Sequence, residues 1–128
     1  MVAKILIVED NSRLAETMAV FLNEAGYETS RAGSSAQGIS KALTGRPDLI
    51  LTDLNLPDMN AIRAISILKN NSVTSGIPIV VITAENGRQW KGKALKAGAA
   101  EYLLKPISPS SLLQIVRKLC RSSLPSRH

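Results

Sequence analysis

Residues 47–53 read Pro47-Asp48-Leu49-Ile50-Leu51-Thr52-Asp53. Leu49–Thr52 is a near-continuous apolar run without polar alternation, the pattern of a central parallel strand buried on both faces, and it stops at a carboxylate. Outward from it, three other runs stop in the same way: Lys4–Val8 at Glu9-Asp10, Ile79–Ile82 at Thr83, and Tyr102–Leu104 at Lys105-Pro106. The carboxyl ends of parallel strands lie at one rim of their sheet, so these scattered positions are predicted to converge on one crevice. Three carboxylates, a hydroxyl and an ammonium gathered there could hold a divalent cation and an anionic group together.

Helical periodicity fills the intervals. Leu14, Met18, Phe21, Leu22 and Ala25 predict a first helix, capped by Asn11 or Ser12 and closed by Gly26. Tyr27–Ala32 alternates weakly as a strand. Ser34 with Gln37 reads as a capping box, opening a helix whose apolar face includes Ala36, Ile39 and Leu43 and which Gly45 and Pro47 end. Asn60 to Leu68 predicts a third helix with Ile62, Ile65 and Leu68 inward, followed by a polar loop at Asn70–Gly76 and a central strand at Ile79–Thr83. Trp90, Ala94 and Leu95 mark a fourth helix closed by Gly98; strand Glu101–Leu104 follows. Ser108 and Pro109 then open a last helix with Leu112, Ile115, Val116 and Leu119 inward. Five alternating βα units imply an α/β fold: a five-stranded parallel sheet, doubly wound (flavodoxin-like), with five helices. The expected order is 2-1-3-4-5, with the crevice between strands 1 and 3, where Glu9-Asp10 and Asp53 end.

Composition bounds the rest. At 128 residues and 45% apolar content the chain is read as one domain, residues 1–121, with a C-terminal tail at 122–128. No stretch approaches the ~20 apolar residues of a membrane span, and Met1 leads into Lys4–Val8 without a signal pattern, so a cytoplasmic chain without a membrane partner is expected. The single Cys120 cannot form an internal disulfide and is read as a buried helix residue. A net charge of +6, with Arg88, Lys91, Lys93, Lys96, Arg117 and Lys118 late in the chain, points to an acidic partner or a self-associating face with compensating acids. Phe21, Tyr27, Trp90 and Tyr102 are too few for a base-stacking platform, so direct nucleic-acid binding is not expected.

Three carboxylates in one crevice repel, raising at least one pKa unless a cation neutralises them. Magnesium, octahedral and oxygen-seeking, suits that set; an ion-paired cluster with Lys105 and no metal is the alternative. A metal beside Asp53 with a lysine nearby also describes phosphoryl transfer, with Asp53 as nucleophile and Lys105 on the phosphoryl oxygens. Thr83 would hydrogen-bond the phosphoryl oxygen once present and has no such partner beforehand, which gives it a reason to move.

These motifs together resemble the receiver domain of bacterial two-component response regulators, of the single-domain chemotaxis type. The resemblance runs from Lys4 to Leu119 through Ile5-Leu6-Ile7-Val8-Glu9-Asp10-Asn11, Pro47-Asp48-Leu49-Ile50-Leu51-Thr52-Asp53-Leu54-Asn55-Leu56-Pro57, Thr83-Ala84 and Lys105-Pro106. It implies that Glu9 and Asp10 are the acidic pair and that Asp53 is the phosphoacceptor. It makes Thr83 the signalling hydroxyl, Lys105 the phosphate-facing lysine, and Tyr102 the aromatic that rotates inward on activation. It further implies a metal site of Glu9, Asp10, Asp53 and the Asn55 backbone carbonyl, filled by Mg2+ or Mn2+, and a cis Lys105-Pro106 bond. The implied partners are a histidine kinase or histidine phosphotransfer protein, which donates the phosphoryl group, and an output protein. The implied chemistry is the domain's own phosphorylation and dephosphorylation only.

Two departures stand out. Glu9 replaces the commoner Asp, so its longer side chain would reach the metal through water. Ala61 stands where members usually carry Gly, so either the turn after Asp53 differs or Asn60 takes the strained place. An Asp-nucleophile phosphatase with Asp-x-Asp-x-Thr is the other class considered, but Asp53-Leu54-Asn55-Leu56-Pro57 lacks the second acid and the threonine and follows the third strand. With only 122–128 after the last helix, the sequence reads as a single-domain regulator or a receiver cut from a longer protein. His128 is read as a tail residue, not a phosphodonor.

Overall fold

A computed structural model describes residues 2–120; the tail 122–128 and His128 lie outside them. The elements are β1 (Lys4–Val8), α1 (Ser12–Glu24), β2 (Glu28–Ala32), α2 (Ser35–Gly45), β3 (Leu49–Thr52), α3 (Ala61–Lys69), β4 (Ile79–Thr83), α4 (Arg88–Ala97), β5 (Glu101–Leu104) and α5 (Pro109–Cys120). The strands form one parallel sheet in the order β2-β1-β3-β4-β5, the predicted topology. Among the described residues no helix is long and apolar enough to cross a membrane.

Strand alternation divides the core in two. Ile5, Ile7, Leu49, Leu51, Val80 and Ile82 meet Met18 and Leu22 of α1 and Leu112 and Val116 of α5 on one face. Leu6, Val8, Ile50, Ile79 and Val81 meet Ala42 of α2, Ile65 of α3 and Ala94 of α4 on the other. Every residue of β3 and β4 is buried, as doubly covered strands require. Cys120 is buried at the end of α5, as expected.

The boundaries follow from caps. Asn11 accepts from the Leu14 N–H at 3.0 Å and opens α1. At the other end Gly26 adopts φ 100°, its N–H donates to Asn23 O and the Tyr27 N–H donates to Leu22 O. That closing motif uses Tyr27, so β2 begins one residue later than the alternation predicted. Ser108 accepts from the Ser111 N–H at 3.1 Å ahead of Pro109. Gly45 is the last residue of α2, and Arg46 after it, at φ 47°, takes the left-handed conformation that closes the helix.

The inward stripe of α2 also differs from the predicted one. Ser35, Gly38 and Ala42 are buried, whereas Ala36 is exposed and Ile39 and Leu43 are half-buried. The helix lies so close to β1 that a Cβ on Gly38 would come within 2.9 Å of Val8 Cγ2, so only small residues fit the contact stripe. The turn after Asp53 accommodates Ala61 without strain. Asn60 sits in extended conformation (φ −67°) as the N-cap of α3, accepting from the Ile62 N–H, and Ala61 is its fully buried first residue. No left-handed residue is needed there.

Candidate phosphoryl-transfer site

Glu9, Asp53, Thr83 and Lys105 meet at the rim, each delivered by the end of a different strand: β1, β3, β4 and the edge strand β5. The register that pairs Val8 with Thr52 puts Glu9 beside Asp53, and the Asp53 N–H donates to Val8 O at 3.0 Å. On the other side Thr83 pairs with Leu104, so Lys105 follows directly, its N–H on Thr83 O at 2.8 Å. The Lys105-Pro106 bond is cis, as the resemblance implied.

Lys105 Nζ bridges the two carboxylates, 2.6 Å from Asp53 Oδ2 and 2.8 Å from Glu9 Oε1. Asp53 Oδ1 accepts from the Leu54 N–H at 2.6 Å and the Asn55 N–H at 3.3 Å; Glu9 Oε2 accepts from the Asn11 N–H at 3.2 Å. The two acids are pushed in opposite directions. Burial raises the Asp53 pKa, but hydrogen bonds from Lys105 and the Thr83 hydroxyl, the Lys105 charge and the Asn55 N–H outweigh it and hold the carboxyl below its ordinary range. For Glu9 burial dominates its bonds to Lys105 and Asn11, and its carboxyl is raised. Burial lowers the Lys105 pKa, yet its bonds to Asp53 and Glu9 prevail and raise it. Of the two acids that share Lys105, Asp53 is thus the one whose environment favours the anion.

Asp10 does not join this ion-paired cluster. It is exposed, and its side chain makes no hydrogen bond or ion pair among the described residues. No three acidic, His or Cys side chains among those residues are gathered as a metal cluster. The donors still suit a hard divalent cation, since magnesium keeps several waters and needs only one or two carboxylates. Glu9, Asp10 and Asp53 with Lys105 carry formal charges summing to −2, and Asp10 remains free to bind.

Thr83 Oγ1 accepts from the Glu85 N–H at 3.2 Å, and its hydroxyl is one of the groups that lower the Asp53 pKa. Tyr102 is turned inward, 8% exposed, its hydroxyl donating to Glu85 O at 2.8 Å. The Glu85 carboxylate takes the Asn55 side-chain amide at 3.3 Å. Glu85 thus ties Asn55, Thr83 and Tyr102 together, and sequence reasoning missed it; its place two residues beyond Thr83, on the same rim, was the available signal. Trp90 of α4 is half-buried against the core, with Lys93 Nζ 5.1 Å from its ring centroid.

Residues 5–117 match the family described as the response regulator receiver domain. The DNA-binding response regulator MtrA of Mycobacterium tuberculosis is 36% identical over 118 residues, covering 92% of this chain and 50% of that protein. The phosphate regulon transcriptional regulatory protein PhoB of Pseudomonas aeruginosa is 37% identical over 121 residues, covering 94% and 53%. The chain thus spans about half the length of these curated relatives. Among solved structures, chemotaxis protein CheY4 of Vibrio cholerae superposes with a TM-score of 0.88 at 28% identity, covering 93% of this chain and 99% of that one. A CheY-like receiver domain protein of Methanospirillum hungatei gives 0.90 at 25% identity, covering 95% and 96%. With its sheet order, its rim of acids and lysine, and this match over nearly its whole described length, the chain belongs to the response regulator receiver domain family of two-component signalling.

Proposed function

We propose that the protein accepts a phosphoryl group on Asp53 from the phosphohistidine of a histidine kinase or histidine phosphotransfer protein, as a step in a two-component system or phosphorelay. The observation that carries this reading is the placement of Asp53: a carboxylate directly after β3, with Lys105 Nζ at 2.6 Å and the Leu54 and Asn55 N–H groups on its other oxygen. In the reaction an Asp53 oxygen attacks phosphorus, an O–P bond forms, and the P–N bond of the donor breaks. The imidazole leaves with that electron pair and takes up a proton. Lys105 and Thr83 supply donors to the phosphoryl oxygens, and Glu9 keeps Lys105 oriented. Mg2+ or Mn2+ would be held by Asp10, Asp53 and the Asn55 backbone carbonyl, with Glu9 reaching it through water, and would neutralise phosphoryl charge.

The domain then catalyses only its own phosphorylation and dephosphorylation, acts in the cytoplasm, and spans residues 1–121 with 122–128 as a tail. Its readout surface is formed by α4, β5 and α5, where Leu95 and Leu104 are exposed beside Arg88, Lys91, Lys93 and Lys96. An acidic output partner suits it. Incubation with a small acyl phosphate and Mg2+ should add one phosphoryl mass, and Asp53→Asn should abolish the gain. Undiminished labelling of that variant would sink the assignment.

A further inference from the structure

The loop between β3 and α3 is closed on itself. Asn55 and Asn60 pair as an antiparallel bridge, and the Ala61 N–H donates to Leu54 O at 2.8 Å. One end of this unit holds Asp53, through the Leu54 and Asn55 N–H groups on Oδ1. Its tip holds α2: Asp58 Oδ1 accepts from the Ser35 N–H at 2.9 Å and Oδ2 from the Ala36 N–H at 2.8 Å, while the Ser35 hydroxyl donates to Met59 O at 3.3 Å. The helix's own cap residue, Ser34, serves only the Gln37 N–H. Two of the donors that every helix start leaves unpaired are thus satisfied from the loop that carries the reactive aspartate. The middle of α2 is pinned as well, by the close approach of Gly38 to Val8, the residue before Glu9.

We propose that α2 is a second reader of the site, with Asp58 as the positioning residue that couples its first turn to the state of Asp53. The inference rests on the reading of Asp53 as phosphoacceptor and adds a surface distinct from α4, β5 and α5. A phosphoryl group bonded to Asp53 competes for the Leu54 and Asn55 N–H groups, so those amides shift. Because the loop is bridged, it moves as a unit and carries Asp58 with it. Gly38, wedged on Val8, cannot follow freely, so the Asp58 bonds to Ser35 and Ala36 lengthen. The first turn of α2, with Ala36 and Gln37 exposed, loosens when the site is filled.

Amide hydrogen exchange on the full chain tests this, with acetyl phosphate and Mg2+ as the probe and intact mass recording phosphoryl incorporation in the same sample. In the wild type, phosphorylation should speed exchange at Ser35 and Ala36 several-fold. In Asp58→Ala both amides should exchange rapidly from the start and no longer respond, although the protein is still phosphorylated. Asp58→Asn, which keeps one acceptor oxygen, should fall between them and guards against a folding defect in the first variant. Full phosphorylation with unchanged exchange at Ser35 and Ala36, or an undiminished response in Asp58→Ala, overturns the coupling and leaves the phosphoacceptor reading intact. Absence of any phosphoryl incorporation overturns both.

Discussion

At the scale of single residues, position in a hydrogen-bond network decides what each acid can do. Glu9 and Asp53 share Lys105, yet their pKa values move apart because Asp53 gathers more donors than Glu9. Asp58 is the simpler case: with the Ala36 and Ser35 N–H groups on its carboxylate, its pKa is lowered. A carboxyl whose folded pKa lies below its unfolded value of about 3.9 contributes stability above that pH and loses it as pH falls through the folded value. Asp58→Ala should therefore lower the urea midpoint at pH 7, and its deficit against the wild type should shrink toward zero as the pH drops below the carboxylate range. A deficit independent of pH down to 3 would mean the charge of Asp58 is not what holds α2.

At the scale of elements, close packing overrides propensity. Replacing a helical glycine with alanine gains about 1 kcal/mol of helix propensity where nothing opposes it. At Gly92 in α4 a Cβ meets nothing within 4 Å, so Gly92→Ala should raise the melting temperature. At Gly38 the same methyl would lie 2.9 Å from Val8 Cγ2, and overpacking at about 1–3 kcal/mol outweighs the gain, so Gly38→Ala should lower it. Thermal melts of the two variants decide the matter. The proposed readout face makes a second prediction at this scale. Tyr102 and Thr83 both bind Glu85 ahead of α4, a helix with one buried residue and no side-chain cap. A phosphoryl group that draws Thr83 toward Asp53 should change hydrogen exchange across 88–104. Silence there under full phosphorylation would remove α4, β5 and α5 as the output face.

At the scale of the molecule, the rim concentrates negative charge that the fold neutralises only in part, since Lys105 serves Glu9 and Asp53 while Asp10 stands alone. A cation that binds the folded rim and not the unfolded chain stabilises the whole domain, by about 2.7 kcal/mol at a hundredfold excess over Kd. Mg2+ should raise the melting temperature, chelation should reverse it, and Asp10→Asn should weaken the response while raising stability in chelator by removing like-charge repulsion. A wild-type melt indifferent to Mg2+ would rule out the metal site.

Much of this was legible in the chain itself. Strand runs that end at Glu9, Asp53, Thr83 and Lys105 point to a parallel sheet with those residues on one rim, because strand ends of a parallel sheet share a rim, while the strand order came from the arrangement common to five-stranded doubly wound sheets. Asn11, Ser34 and Ser108 likewise announced their caps, since capping is local chemistry within three residues, whereas the cap at Asn60 came only with the structure. Only the tertiary structure decided which face α2 buries, because that depends on how near Val8 comes to Gly38 and not on the helix's own periodicity. It alone decided that Asp58 caps a helix 22 and 23 residues away, and that Glu85 joins Asn55, Thr83 and Tyr102. It also decided that Lys105 bridges two of the three acids while the third faces solvent. Those contacts are set by distances between segments that no local pattern encodes.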